Sequence, residues 1–318
     1  MRDALSRWAS ARHPATKARA GTTGSMREAV ERLSLVPDGG RDFTVGPDVA
    51  RAVYGFDEES LAALVELGLA HASGPAGPLF AEVDLHYIGL RTGRAPVHRL
   101  VMRSWAAMLA RCAVPDASTV IISYIAGRPP DPAQGWALTP DGRVAVTVRE
   151  REPTISVPMT PRSEWPGPTP ALAALLTEIG NLDFCLLTPP TSHQDFARRH
   201  GLANCATASC LLLEECQREG FTARSAYGLL VAIPHSVPHH WVEVLVGDVW
   251  TPFAPLLVGI LHRFAGLNRD RWPVTRSPGS VLLRLGAVEQ PILQVGDRKV
   301  DVSFATEVAV PTDVSPGR

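Results

Sequence analysis

Residues 204–224 read NCATASCLLLEECQREGFTAR, and few structures accommodate them. Asn204 is a residue that caps helices, an apolar run follows it, and Gly220 is the residue type that closes a helix at C′. The spacing predicts one helix with Cys205 in its first turn. A second stretch, HHWVEVLVGDVWTPFAP (residues 239–255), alternates apolar and polar residues on both sides of a Gly247-Asp248 turn. It predicts two antiparallel strands. Trp241, Glu243 and Leu245 share one face of the first strand, and Val242, Val244 and Val246 share the other. A helix followed by an antiparallel pair makes this part of the chain α+β.

Both stretches carry candidate chemistry. At a helix start, unpaired N–H groups and the helix dipole favour an anion, so Cys205 is expected to be stabilised as thiolate, the nucleophilic form. Successive helical residues turn by about 100°. That rotation puts Cys210 on the apolar side with Leu213, near Cys216, and both thiols are assigned to packing. His239 opens the first strand, two residues before Trp241. It reads as a histidine at a strand end or, with His235 and His240 close in sequence, as a zinc ligand. Neighbours on a strand point to opposite faces, which argues against His239 and His240 sharing an ion.

Together the two stretches resemble the transglutaminase-like superfamily, whose core runs G-x-C, a helix, G-[IV]-P-A-R, then H-[AS]-W-V-E-V and W-x-P-F-D-P. Cys205 stands fifteen residues before Gly220, the spacing of that pattern. GFTAR matches its Gly-to-Arg element with Thr222 where Pro is usual, and HHWVEV and VWTPFAP match the strands. The resemblance covers about residues 195–256. It implies a papain-like fold, with a cysteine-bearing helix packed on an antiparallel sheet. It implies Cys205 as nucleophile and His239 as general base and acid, with Asn204 and Trp241 as supporting residues. The backbone N–H of Cys205 would donate to the oxyanion. Arg224 is expected in a structural ion pair beneath the helix.

One position departs from the pattern. Ala254 stands where the family carries the aspartate that completes its triad. Asp248 lies about 30 Å from His239 along an extended strand, and Glu243 starts about 13 Å away, so neither is a local substitute. Two readings follow: a Cys–His dyad that works without the carboxylate, or a domain that binds without turnover. Acyl transfer to an amine and hydrolysis as a peptidase or amidase both fit these residues. The substrate class expected is a peptide or a carrier-bound acyl group. No cofactor or metal is called for, and no loop has the acidic density of a calcium site.

The rest of the chain is divided into a probable tail (1–24), an N-terminal docking domain (25–155), a transglutaminase-like domain (156–307) and a frayed end (308–318). In the N-terminal domain, GPDVARAVYG and DEESLAALVELGLA predict short helices, the second with Leu61, Leu64, Val65 and Leu69 at helical spacing. PLFAEVDLHYIGLRTG is expected to be strand-like. Two short helices and a hairpin outline a winged helix, but the region lacks the basic stripe that reads DNA. PVHRLVMRSWAAMLARC is expected as a longer helix, STVIISYIAG and RVAVTVRER as strands, and EPTISVPMTPRSEWPGPTP as an extended crossing.

Composition sets the remaining bounds. A net charge of −1 gives no reason for a polyanionic partner, and no apolar run approaches a membrane span. The basic N-terminus lacks the apolar core of a secretory signal, so a cytoplasmic location is expected. Five cysteines without a CxxC pair predict free thiols. The oligomeric state does not follow from the sequence.

Overall fold

A computed structural model describes residues 23–115, 117–127, 132–188 and 193–309. The tail expected over 1–24 lies outside them except for its last two residues, which open the first helix. The fraying expected over 308–318 lies outside them from residue 310. The fold is α+β with a curled antiparallel sheet. Among the described residues, no helix is long and apolar enough to cross a membrane.

The chain forms two compact units, each drawn from three segments. One contains residues 1–103, 173–215 and 255–274; the other contains 104–172, 216–254 and 275–318.

In the first unit, helix Thr23–Leu33 is followed by strand Phe43–Val45, a helical turn over Pro47–Tyr54 and helix Glu58–Glu66. Asp57 caps this last helix by accepting from the Ser60 N–H at 3.0 Å. Strands Ala72–Gly74 and Gly77–Ala81 pair as a hairpin, and Phe43–Val45 joins the other edge of Gly77–Ala81. All of these pairs are antiparallel. The strand expected to continue through Leu90 stops at Ala81, and Glu82–Arg91 is helical. Its residues 83–90 are buried on every side, so the segment shows no amphipathic period that would have marked a helix. Leu33, Phe56, Leu64, Phe80, Leu85 and Ile88 fill the core.

A buried ion pair ties this core together. Arg41 Nε donates to Asp84 Oδ2 at 2.9 Å, and the same guanidinium donates to the carbonyls of Leu33 (2.8 Å) and Val36 (2.5 Å). It therefore joins the end of the first helix to helix Glu82–Arg91.

The second unit is built on antiparallel strands. Their order is Leu282–Gly286, Ala223–Leu230, His235–Val246, Val302–Val308, Val120–Ala126 and Pro153–Met159. Strand His235–Val246 shares one of its edges between two partners. His235 and Ser236 pair with Ala305 and Phe304, whereas Val242 to Val246 pair with Phe253 to Val249. That division lets the sheet curl around the long strand. A smaller sheet contains Arg298–Lys299, Leu293–Val295, Ala133–Thr139 and Gly142–Val148.

The proline-rich crossing is partly a strand, since Pro153–Met159 pairs with Val120–Ala126 at the end of the larger sheet. Proline removes a ladder donor, and an edge strand tolerates that loss. The helix expected over 96–112 forms as Pro96–Cys112, and Pro170–Gly180 is a further helix.

Gly228 fixes how closely the central strands approach. A Cβ there would lie 2.0 Å from the Leu283 carbonyl oxygen and 2.9 Å from Trp241 Cη2. Gly228→Ala is expected to lower stability by about 3 kcal/mol, because backbone rather than a flexible side chain must move. A thermal midpoint equal to wild type would show that the strands separate without cost.

Candidate active site

The cysteine segment is built from short parallel pairing and a cap. Asp183–Phe184 pairs with Leu202–Ala203, and the Cys185 N–H donates to the Ala203 carbonyl at 3.0 Å. Asn204 then bridges two structures. Its Oδ1 accepts from the Thr207 N–H at 2.8 Å, and its Nδ2 donates to the Leu187 carbonyl at 2.8 Å. Cys205 is the first residue of helix Cys205–Arg218, as its spacing predicted. The helix closes at Gly220, whose φ of 79° is left-handed, with the Phe221 N–H donating to the Cys216 carbonyl at 2.8 Å.

Ala208, Leu211, Leu212 and Cys216 form the buried face of this helix, and Cys205 stands half-buried at its start. Cys210 is exposed, contrary to the packing role expected for it. The buried stripe passes through residues 208, 212 and 216, and Cys210 is about half a turn away from it. Cys112, Cys185 and Cys216 are buried. Cys205 is thus the one cysteine both partly open and at a helix start.

Burial pushes the Cys205 thiol up to about 12. The expected thiolate is therefore not the resting form. Desolvation opposes the charged state.

The histidine strand keeps its expected register. Val242 pairs with Phe253 and Val246 with Val249, across a turn at Gly247-Asp248. Continuing that register sets Ala254 opposite Trp241, where the family pattern has aspartate. His239 and Trp241 are both buried, with nearly parallel rings whose centroids are 6.5 Å apart. His239 Nε2 and Trp241 Nε1 have no hydrogen-bond partner among the described residues. Burial, aided by neighbouring His240, lowers His239 to about 3, so it too is neutral at rest.

The neighbouring polar groups are engaged elsewhere. Glu243 lies 2.7 Å from Arg224 Nε and 3.3 Å from Arg284 Nε, so it is not free to orient an imidazole. Arg224 pairs with Glu243 across the neighbouring strands, and its guanidinium also lies over the Trp250 ring, 4.0 Å from the centroid. His240 lies 3.4 Å from Glu289 and packs against Tyr227 with the rings tilted by 46°, so its interactions differ from those of His239. No three His, Cys, Asp or Glu side chains converge to hold a metal among the described residues.

No family model, curated protein or solved structure matches this chain.

Cys205 belongs to the first unit, and His239, Trp241 and Ala254 belong to the second. Two contributions had no local sequence signal. Gly228, paired with His239, leaves room for the Trp241 ring, and this depends on strand register. The bond from Asn204 to Leu187 joins residues seventeen positions apart.

Proposed function

We propose that this protein carries out acyl transfer through a thioester on Cys205, with His239 moving the protons. The observation that carries the reading is the placement of Cys205: a residue of intermediate exposure, first in a helix whose start is fixed by Asn204. The papain-like assignment draws support from that helix and from an antiparallel sheet carrying histidine on its long strand. A reducing, cytoplasmic setting is part of the proposal, supported by five free cysteines.

In the proposed reaction, Cys205 sulfur attacks the acyl carbon while its proton passes to His239 Nε2. The Cys205 backbone N–H donates to the developing oxyanion. The leaving amine or alcohol takes the proton from His239, and a thioester remains. An incoming amine or water gives a proton to His239, attacks the thioester, and the sulfur recovers a proton as the product departs. With thiol and imidazole both neutral at rest, proton transfer accompanies attack and no ion pair precedes it. The acyl donor would be a peptide or a carrier-bound acyl group.

The N-terminal module is read as a winged-helix-like docking element, on its helix–strand–helix–helix–hairpin order and its three-stranded sheet. Its third helix carries Glu58, Glu59 and Glu66 and no basic residue, which favours a partner other than nucleic acid.

The second reading is a binding protein without turnover, favoured by Ala254 and by the absence, among the described residues, of a carboxylate acting on His239. Incubation with p-nitrophenyl acetate separates the two. The enzyme reading expects acetyl on the peptide containing Cys205, removable by hydroxylamine and absent from Cys205→Ala. Acetyl found only on exposed Cys210, or equally in Cys205→Ala, refutes it.

A further inference from the structure

Within the first unit, three arginines from three helices converge on one carboxylate. Arg91 Nη2 is 2.6 Å from Asp183 Oδ1, and Arg263 Nη1 is 3.4 Å from the same oxygen. Arg32 Nε is 3.4 Å from Oδ2, which also accepts from the Tyr87 hydroxyl at 3.4 Å. Each guanidinium is braced. Arg32 donates to the His200 carbonyl, Arg263 donates to the Leu182 carbonyl at 2.6 Å, and Arg91 stacks 4.7 Å from the Tyr87 ring centroid.

Three cations and one anion leave two positive charges. A carboxylate offers about four lone-pair sites, and Asp183 already meets four donors. Each guanidinium has five N–H groups, so donors are left over. The Arg32, Arg91 and Arg263 side chains are 35%, 35% and 27% exposed, which keeps the cluster open to a small ligand. Among the described residues, Asp183 is the only carboxylate acting on Arg263, while Arg91 and Arg269 crowd it with like charge. An ordinary structural salt bridge would not need this surplus.

We propose that the Arg32–Arg91–Arg263 cluster is a binding site for a phosphate monoester. A dianion matches the surplus charge, and planar guanidinium forks suit phosphate oxygens. The strand pairing sets Asp183 beside Leu202, three residues before Cys205, so their Cα atoms lie within about 15 Å. A phosphorylated substrate spanning both points is a consequence that rests on the acyl-transfer reading; anion binding itself does not.

The test is a titration of the full chain with inorganic phosphate at ionic strength held constant with chloride, following the thermal midpoint and the phosphorus-31 linewidth. The expected result is a saturable rise in midpoint with broadening of the phosphate line; sulfate reproduces the rise in midpoint and acetate does not. Arg91→Gln is expected to weaken phosphate binding about ten- to hundred-fold, the loss of one charge-assisted contact. A midpoint and linewidth that respond to phosphate no more than to chloride overturn the proposal. Wild-type affinity in Arg91→Gln overturns it equally, and the wild-type titration decides alone if that variant does not fold.

Discussion

His239→Ala is expected to slow acetylation of Cys205 by about 10²–10⁴-fold, the usual contribution of a positioned base, and Cys205→Ala to abolish it. The wild-type rate is expected to stay nearly flat between about pH 5 and pH 9. The reason is that His239 is lowered to about 3 and Cys205 raised to about 12, so neither group titrates in that interval. A thiolate–imidazolium pair would instead make Cys205 react rapidly with iodoacetamide well below pH 8. Stopped-flow acetylation across this pH range, with circular dichroism to confirm that His239→Ala is folded, measures both effects. An unchanged rate in that variant removes His239 from the reaction.

The second large effect is on stability. Arg41 and Asp84 side chains are 4% and 0% exposed, and the guanidinium also serves two backbone carbonyls. Arg41→Met leaves a buried carboxylate without its counter-ion, which is expected to cost about 3–5 kcal/mol. Hydrogen exchange of amides in Thr23–Leu33 and Glu82–Arg91 reads this cost in the unit concerned. Adding Asp84→Leu is expected to restore much of the protection, because an apolar pair of similar volume often replaces a buried ion pair with little loss. Wild-type protection in Arg41→Met would mean that the pair does not hold these helices together.

Local signals were the legible ones. Asn204 and Gly220 marked both ends of the cysteine helix, and Gly247-Asp248 with its flanking alternation gave the hairpin register residue by residue. The helix over residues 82–91 was not legible, because burial on all sides erases the contrast between faces. Cys210 is misassigned because the apolar side is drawn through Leu213 instead of Ala208 and Leu212, a shift of about 100°, whereas Cys216 is buried as expected. The charge states of Cys205 and His239 could not be read from spacing at all. A helix start favours thiolate, but desolvation depends on what surrounds the side chain in three dimensions. The arginines around Asp183 were equally hidden, coming from positions 80 to 151 residues away from it in the chain.

The central claim is that Cys205 and His239 act as one pair, and a bis-electrophile with a three-carbon span tests it most directly. 1,3-Dibromoacetone alkylates a thiol first and can then capture an imidazole within its short reach. Peptide mapping of the treated full chain is expected to recover Cys205 joined to His239, with the link absent from His239→Ala and from Cys205→Ala. Recovery of Cys205 alkylated at one end only, or joined to a different residue, would contradict the pair and with it the proposed chemistry.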